Sequence, residues 1–212
     1  MEARCGQCRV EEYDFDLARS YGLYAGKLRA AILQLKFRGR ERLGRKLGEL
    51  LVPPWQSVEE FRRAESPLLV PVPLHPSRQR ERGFNQAALL TQGLSRRLRR
   101  DGAARVPRVD TRCLRRIRAT AAQTGLSVQA RHENVRGVFA VTSPEQVRDR
   151  VVVLVDDVMT TGATLSACAR ALKAAGPVRV LALTLARATP QFPSGVAPTP
   201  SIPVDDVGCD QR

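Results

Sequence analysis

Apolar residues recur along this chain at spacings that predict alternating strands and helices. Between residues 26 and 52 they fall at helical intervals, and Gly39 interrupts the pattern, so two helices are expected there. A short apolar run at 68–74 predicts a buried strand. Residues 85–100 form an amphipathic helical pattern, with arginines in the last turn, where cations interact favourably with the helix dipole.

The second half of the chain carries a strand–helix–strand pattern. An apolar run predicts a strand at 151–156, and helical spacing follows at 163–175. Gly176 and Pro177 are a typical helix stop, and a further apolar run predicts a strand at 178–186. This order predicts a βαβ unit, and therefore an α/β fold with a parallel sheet.

The periodic pattern occupies the middle of the chain and weakens at both ends. Residues 1–20 are polar around two cysteines, whereas 21–188 contain the predicted strands and helices. Within the latter, 119–136 lack a clear period and predict a long loop that ends in a helical segment. Residues 189–212 contain five prolines and no period, which predicts a disordered tail. We therefore expect one main domain with two appendages.

The charge of the chain indicates what kind of molecule it would bind. The chain carries a net charge of +14, and residues 68–118 alone contain 13 arginines against three acidic residues. Such an excess favours polyanions, although arginine outnumbers lysine 31 to 4, and a coding bias with solvated arginines would give the same pattern. No apolar run reaches the roughly 18 residues of a membrane span, and no signal peptide is visible, so a cytoplasmic location without membrane association is expected.

Two adjacent carboxylates follow the apolar run of the βαβ unit. Asp156 and Asp157 would emerge where parallel sheets bind ligands, and the next loop enters a helix N-terminus, whose N–H groups suit a phosphate. The residues of this loop that would bind phosphate are Thr160, Thr161, Gly162, Ala163 and Thr164. A ligand that places adjacent hydroxyls on the two carboxylates and a phosphate on the loop would be a sugar phosphate. The simpler alternative, a strand end and one capping threonine, accounts for only one polar residue.

The stretch VVVLVDDVMTTGAT resembles the signature of type I phosphoribosyltransferases. Three upstream segments, LKFRGR, PVPLHPSRQRERGFNQAALL and RIRATAAQTGLSVQARHENVRGVF, are similar to the ComF family, whose bacterial members are linked to DNA uptake or related metabolism. The resemblance covers roughly 21–187. It implies a type I phosphoribosyltransferase fold: a central, mostly parallel sheet flanked by helices, with a small helical N-terminal extension and a disordered C-terminal tail.

The resemblance also implies roles for individual residues. Asp156 and Asp157 would hold the ribose hydroxyls of 5-phosphoribosyl-1-pyrophosphate (PRPP), which would bind together with Mg²⁺. A catalytic loop would contribute Arg118, Gln123 and Arg131. The pyrophosphate loop would consist of Pro73, Leu74 and His75. The family motifs also contain residues to which no role is assigned, namely Lys36, Arg82, Gly83, Asn85 and Gln86.

The cysteines depart from the family pattern. Cys5 and Cys8 have the spacing of one zinc-knuckle pair, but a structural zinc site needs four ligands, and ComF-like proteins usually supply two pairs. Either the protein starts further upstream or it has lost the knuckle. No complete zinc site is therefore expected within this chain.

Two functions are consistent with these residues. The first is an enzyme that transfers phosphoribose from PRPP to an unidentified acceptor. The second is a non-catalytic protein of DNA uptake whose basic region contacts single-stranded DNA and helicase or other competence proteins. Phe84 is the only aromatic residue between 68 and 118, so base stacking would contribute little to such contacts. A plain base-salvage enzyme is less favoured, because no base-recognition element is visible, and no pattern indicates an oligomeric state.

Overall fold

A six-stranded sheet forms the centre of the structure. The computed structural model describes residues 13–37, 40–64, 67–118, 137–188 and 209–210. The strands are β1 (Leu17–Leu23), β2 (Leu68–Pro71), β3 (Arg108–Val109), β4 (Leu114–Arg116), β5 (Phe139–Val141), β6 (Val151–Met159), β7 (Arg179–Arg187) and β8 (Cys209–Asp210). The helices are α1 (Gly26–Leu35), α2 (Glu41–Glu49), α3 (Val52–Ser57), α4 (Glu59–Arg63), α5 (Pro76–Arg82), α6 (Gln86–Arg100) and α7 (Ala163–Lys173), and a 3₁₀ turn spans Pro144–Gln146.

The strand order confirms the predicted α/β architecture. The central sheet runs β3-β2-β6-β7-β1-β8, with five parallel strands and β8 antiparallel to β1 at one edge. Strands β4 and β5 form a separate antiparallel ribbon. The predicted βαβ unit is β6-α7-β7, and its two strands pair in parallel.

Helices cover both faces of the sheet, which explains why β6 begins with an unbroken apolar run. Val152 and Leu154 belong to the core cluster beneath α7, whereas Val153 and Val155 belong to the cluster beneath α1–α4 and α6. Because successive side chains of a strand point to opposite faces, a strand covered on both sides must be apolar at every position.

The connections reverse direction between β2 and β6. From β2 the chain passes through α5 and α6 to β3 at one edge, and from β6 it passes through α7 to β7 on the other side. Ligands of open α/β sheets bind at such a reversal, outside the carboxyl ends of the strands. The fold thus places the expected site beside the ends of β2 and β6.

Several elements were not predicted, among them β1, α5 and β8, the last of which lies in the tail that the sequence predicted to be disordered. Residues 17–20, interpreted as part of a polar N-terminal piece, belong to β1, which pairs with β7 from Leu17↔Leu181 to Leu23↔Arg187. The expected start of the main domain at residue 21 therefore falls inside a strand. The charged segment of α5 also gave no helical apolar period, because none of its residues is buried. Residues 189–208 and 211–212 of the predicted tail lie outside the described residues.

No helix in the described part of the chain has the length and apolar character needed to cross a bilayer.

Candidate functional site

The two carboxylates lie within β6, which ends at Met159 and not at residue 156 as the apolar run predicted. β6 continues to Met159 because it pairs with β7 through Asp156↔Thr184 and Val158↔Ala186. Its other neighbour, β2, stops pairing at Pro71↔Val155. Asp156 and Asp157 therefore occupy a stretch that is still held by β7 on one side and is open on the side that β2 has left.

The two carboxylates have different electrostatic surroundings, as their positions on opposite faces of the strand require. Asp157 Oδ2 lies 3.6 Å from the Lys36 ammonium group. The charge of Asp156 acts on Arg116 and on the thiol of Cys168 in α7. Each carboxylate also accepts a hydrogen bond from the next backbone N–H, at 2.8 Å for Asp156 and 2.9 Å for Asp157. The backbone therefore holds one oxygen of each carboxylate.

Burial raises the pKa of Asp156 well above the ordinary range of an aspartate, and the negative charge of Asp157 raises it further. The Lys36 ammonium group opposes this increase. Carboxyl groups with strongly perturbed pKa values and a specific charged partner are typical of functional sites.

One oxygen of the pair lacks a hydrogen bond. Asp157 Oδ2 is buried, and no described residue makes a hydrogen bond to it. The Lys36 Nζ contact of 3.6 Å is a charge interaction beyond ordinary hydrogen-bond length. Since buried polar atoms are nearly always satisfied, this oxygen fits a site whose donor belongs to a ligand.

The threonine-rich loop leads directly into α7, an 11-residue helix. Gly162 is its N-cap residue with φ of +76°, and glycine has no side chain that could cap the helix. The Thr161 hydroxyl accepts a contact of 3.4 Å from the Ala163 N–H. The helix N-terminus thus presents backbone donors and the positive end of the dipole, which suits an anion.

Gly162 is required by its surroundings as well as by its backbone angle. A Cβ at this position would lie 2.6 Å from the Tyr13 ring and 2.9 Å from the Met159 methyl group. The close approach of Tyr13 comes from the segment before β1. There the Asp14 N–H donates to Ser166 Oγ at 2.9 Å, and the Ser166 hydroxyl donates back to Asp14 Oδ2 at 2.6 Å.

The carboxylates and the loop share a cavity of about 460 Å³. Its lining consists of Tyr24, Lys36, Asp156, Asp157, Val158, Met159, Thr160, Gly162, Ala163, Thr164 and Leu165. The structure therefore brings together the predicted acidic pair and most of the predicted loop. Thr161 is buried outside this lining.

Known proteins are similar in sequence to most of this chain. Residues 85–194, just over half of the chain, match the phosphoribosyl transferase domain family. Competence protein F of Haemophilus influenzae is 34% identical over 186 residues, which cover 87% of this chain and 78% of that protein. DNA utilization protein YhgH of Escherichia coli K12 is 34% identical over 184 residues, covering 86% and 77%, and YhgH of Salmonella typhi is 35% identical over 187 residues with the same coverage.

This chain belongs to the ComF family of phosphoribosyl transferase domain proteins.

The structure shows contacts for the ComF motif residues without assigned roles. Lys36 lines the cavity next to Asp157. Asn85 caps α6 by accepting from the Ala87 N–H at 2.9 Å, and its amide donates to the Val72 carbonyl at 3.0 Å. Gly83 ends α5 in the left-handed conformation, with φ of +86°. The Arg82 guanidinium donates to Gln86 Oε1 at 2.6 Å.

The predicted pyrophosphate loop begins where β2 leaves the sheet. The Val72 N–H donates to the Val155 carbonyl at 2.9 Å, so Pro73 and Leu74 follow directly beside the start of the acidic pair. His75 caps α5 instead, since its Nδ1 accepts from the Ser77 N–H at 3.3 Å. None of the three loop residues lines the cavity.

Of the predicted catalytic-loop residues, only Arg118 is described. Its guanidinium donates to the Gly137 carbonyl at 3.1 Å and 3.3 Å, so it joins the two chain ends that flank residues 119–136. Gln123 and Arg131 lie outside the described residues, as do Cys5 and Cys8. Their predicted roles stay predictions.

Two aromatic residues of the site were missed from the sequence. Tyr13 packs on Gly162, and Tyr24 lines the cavity after β1. Tyr13 also stacks on Phe15, with ring centroids 4.8 Å apart. Tyr13 was missed because the polar first 20 residues were not expected to pack against the site, and no local pattern indicated a role for Tyr24.

The described residues contain no group of three or more His, Cys, Asp or Glu side chains that could hold a metal ion. Two neighbouring carboxylates, one with an unsatisfied buried oxygen, remain available. This donor set fits Mg²⁺ bound mainly by ligand phosphates and water, which is the usual coordination of this ion at phosphate sites.

Proposed function

We propose that this chain binds PRPP, or a related ribose 5-phosphate ligand, together with Mg²⁺. The proposal depends on one observation above all: the buried Asp157 Oδ2, which lacks a hydrogen bond, lies in the same cavity as the donor-rich N-terminus of α7. A ribose hydroxyl would satisfy that oxygen, and a phosphate on C5 would reach the loop. Vicinal hydroxyls on Asp156 and Asp157 would orient the sugar ring.

The reaction this geometry supports best is transfer of the phosphoribosyl group. The bond between ribose C1 and the diphosphate oxygen would break, and its electron pair would leave on the diphosphate. An acceptor lone pair would form the new bond to C1, and the acceptor would release its proton. Mg²⁺ would neutralise charge on the diphosphate. The ionised carboxylates would stabilise the positive charge that develops on the sugar.

Replacement of both carboxylates by amides tests the proposal. Asp156→Asn/Asp157→Asn is expected to weaken PRPP binding by about 100-fold, because charge-assisted hydrogen bonds to the ribose hydroxyls are lost. Isothermal titration with PRPP and MgCl₂ measures the loss. Pyrophosphate release with a panel of bases, nucleotides and DNA then tests transfer and identifies the acceptor.

The exposed Glu145→Gln provides a matched control, since it also replaces a carboxylate by an amide but lies outside the cavity lining. Unchanged PRPP affinity in the double variant would show that the ligand does not bind at the acidic pair.

A DNA-uptake role is the second candidate, since relatives of the chain are called competence protein F and DNA utilization protein. The arginines at the end of α6 fall into two groups, those paired with a carboxylate and those exposed to solvent. Arg97 pairs with Asp101 at 2.7 Å, and Arg100 pairs with Glu49 at 3.2 Å. Arg96 and Arg99 are exposed and lie three residues apart on one face of the helix. We infer that these two would contact phosphates of single-stranded DNA.

Arg96→Ala/Arg99→Ala is expected to weaken binding of single-stranded DNA and to make its salt dependence shallower. Each lost phosphate contact should reduce the slope of log K against log salt by about 0.7. Fluorescence anisotropy with a labelled oligonucleotide across a salt series measures both effects, and Arg97→Ala serves as the ion-paired control. Binding that does not respond to salt would refute the electrostatic account.

A further inference from the structure

The segment that precedes β1 contacts α7 at both ends of that helix. Tyr13 packs on Gly162, the N-cap residue, so closely that a Cβ there would lie 2.6 Å from its ring. Asp16 forms an ion pair of 2.8 Å with Lys173, the last residue of the helix. Residues 13–16 therefore follow α7 from its N-cap to its last turn, and their first half lies at the end that leads to the cavity.

Between these two contacts, Asp14 is bonded to the start of α7. Its N–H donates to Ser166 Oγ at 2.9 Å, and the Ser166 hydroxyl donates to Asp14 Oδ2 at 2.6 Å. Ser166 is buried, and its own N–H donates to the Gly162 carbonyl at 2.8 Å. Asp14 thus holds the residue whose N–H closes the first turn of the helix.

The buried contact with Ser166 is the one that can fix the helix. Arg170 also donates to both oxygens of Asp14, at 2.9 Å and 3.2 Å, but its side chain is 60% exposed. Ion pairs of exposed groups contribute little. The Ser166 hydroxyl, by contrast, both donates and accepts within its pair with Asp14, so displacement of either residue would leave a buried polar group unpaired.

The first turn of α7 is also the part of the helix that faces the cavity. Ala163 and Thr164 line the cavity, and the first N–H groups of a helix have no partner within it. Several such groups bind one anion together, so affinity depends on their alignment. Gly162 has no side chain that could fix the start of the helix. The segment before β1 therefore fixes it from outside.

We propose that Asp14 is a positioning residue for the 5-phosphate of the ligand. Through its two hydrogen bonds with Ser166, it holds the first turn of α7 in the orientation in which backbone N–H groups converge on the phosphate. The proposal rests on the proposed function, since it takes the phosphate to bind at this loop. It gives a part in ligand binding to residues 13–16, which do not themselves line the cavity.

Removal of the Asp14 side chain tests the proposal. Asp14→Ala should weaken binding of PRPP and of ribose 5-phosphate by about tenfold, the loss expected for one charge-assisted hydrogen bond to phosphate. Isothermal titration with MgCl₂ present measures both affinities. In ³¹P NMR spectra of the PRPP complex, the 5-phosphate resonance should move toward its position in free PRPP, whereas the two diphosphate resonances should keep their bound positions. A loss of stability alone would not produce this selective change.

Asp16→Ala is the matched control. It removes a carboxylate from the same segment, but the contacts of Asp16 lie at the far end of α7, with Lys173 and with the Val180 N–H at 2.7 Å. Both variants should unfold at a lower temperature than the wild type, yet Asp16→Ala should keep its PRPP affinity within about twofold. Asp14→Asn retains an oxygen that can accept from the Ser166 hydroxyl, and it should restore part of the affinity.

Ser166→Ala removes the same contact from the side of the helix. Alanine favours a helix, so this variant keeps the test valid even if Asp14→Ala folds poorly. It should weaken PRPP binding about as much as Asp14→Ala. Because the two residues act through one contact, the double variant should bind PRPP no more weakly than either single variant.

The outcomes separate the two proposals. A wild type that binds neither PRPP nor ribose 5-phosphate would overturn the proposed function. A wild type that binds PRPP, together with Asp14→Ala and Ser166→Ala variants that bind it equally well, would overturn the positioning role alone. The same conclusion would follow if Asp16→Ala lost as much affinity as Asp14→Ala, or if all three ³¹P resonances moved together.

Discussion

Gly93→Ala is expected to destabilise the protein by about 3 kcal/mol, the upper end of the usual range for overpacking a core. Gly93 lies inside α6, where alanine ordinarily stabilises a helix by up to about 1 kcal/mol. Here a Cβ would lie 2.1 Å from the Arg45 carbonyl oxygen of α2. The obstacle is backbone, which cannot rotate away as a side chain can, so α2 and α6 would have to separate. Alanine should therefore destabilise the protein at this position, although it stabilises most helices relative to glycine.

Gly48 of α2 packs just as closely against the backbone of α6. A Cβ on Gly48 would lie 2.2 Å from the Leu90 carbonyl oxygen, so Gly48→Ala should have a similar effect. Thermal unfolding should show midpoints lower by about 2–4 °C for each kcal/mol lost. Gly22→Ala is the matched control, because its Cβ would meet only the flexible Leu28 side chain at 3.3 Å. Native stability in Gly93→Ala would show that the helices do not pack this closely.

Asp156→Asn is expected to change stability and ligand affinity in opposite directions at neutral pH. The folded protein buries the Asp156 carboxyl group beside the Asp157 charge, which raises the pKa of Asp156 well above its unfolded value. The amide can still accept the hydrogen bond from the Asp157 N–H, but it carries no charge that must be desolvated. The variant should therefore unfold at a higher temperature than the wild type and bind PRPP about 10-fold to 100-fold more weakly.

The stability difference should depend on pH with a defined sign. A carboxyl group whose pKa is higher in the folded state stabilises the fold when it is protonated, below its unfolded pKa. That contribution is lost as the pH rises through the folded-state pKa. Asp156→Asn and wild type should thus have similar stability near pH 4, and the variant should gain a growing advantage as the pH rises toward neutrality.

Chemical denaturation across this pH range measures the difference, and the exposed Glu145→Gln should show no such trend. A stability difference that stays constant with pH, or a wild type that is the more stable at pH 7.5, would contradict a buried charge at Asp156. Because the gain in stability accompanies a loss of binding, the result would also show that the charge is retained for function.

Local patterns were sufficient for much of the fold. The βαβ unit at 151–186 could be predicted because its apolar runs and its Gly-Pro helix stop are contiguous in sequence. The same holds for α6, whose amphipathic period and capping Asn85 lie within one segment. β1 could not be predicted, because its seven residues include polar ones, and only its pairing with β7, more than 150 residues away, makes it a strand.

The acidic pair, the threonine-rich loop and their order along one strand and one helix could all be predicted from the sequence. Those features are local, and a continuous stretch of chain carries both the chemistry and its spacing. The residues around them are known only from the folded chain: Tyr13 packs against Gly162, Lys36 lies beside Asp157, and the charges of Arg82 on α5 and Arg116 on β4 act on the acidic pair. These contacts and charges come from residues that are far apart in sequence. Only the packing of helices and loops around the sheet brings those residues together.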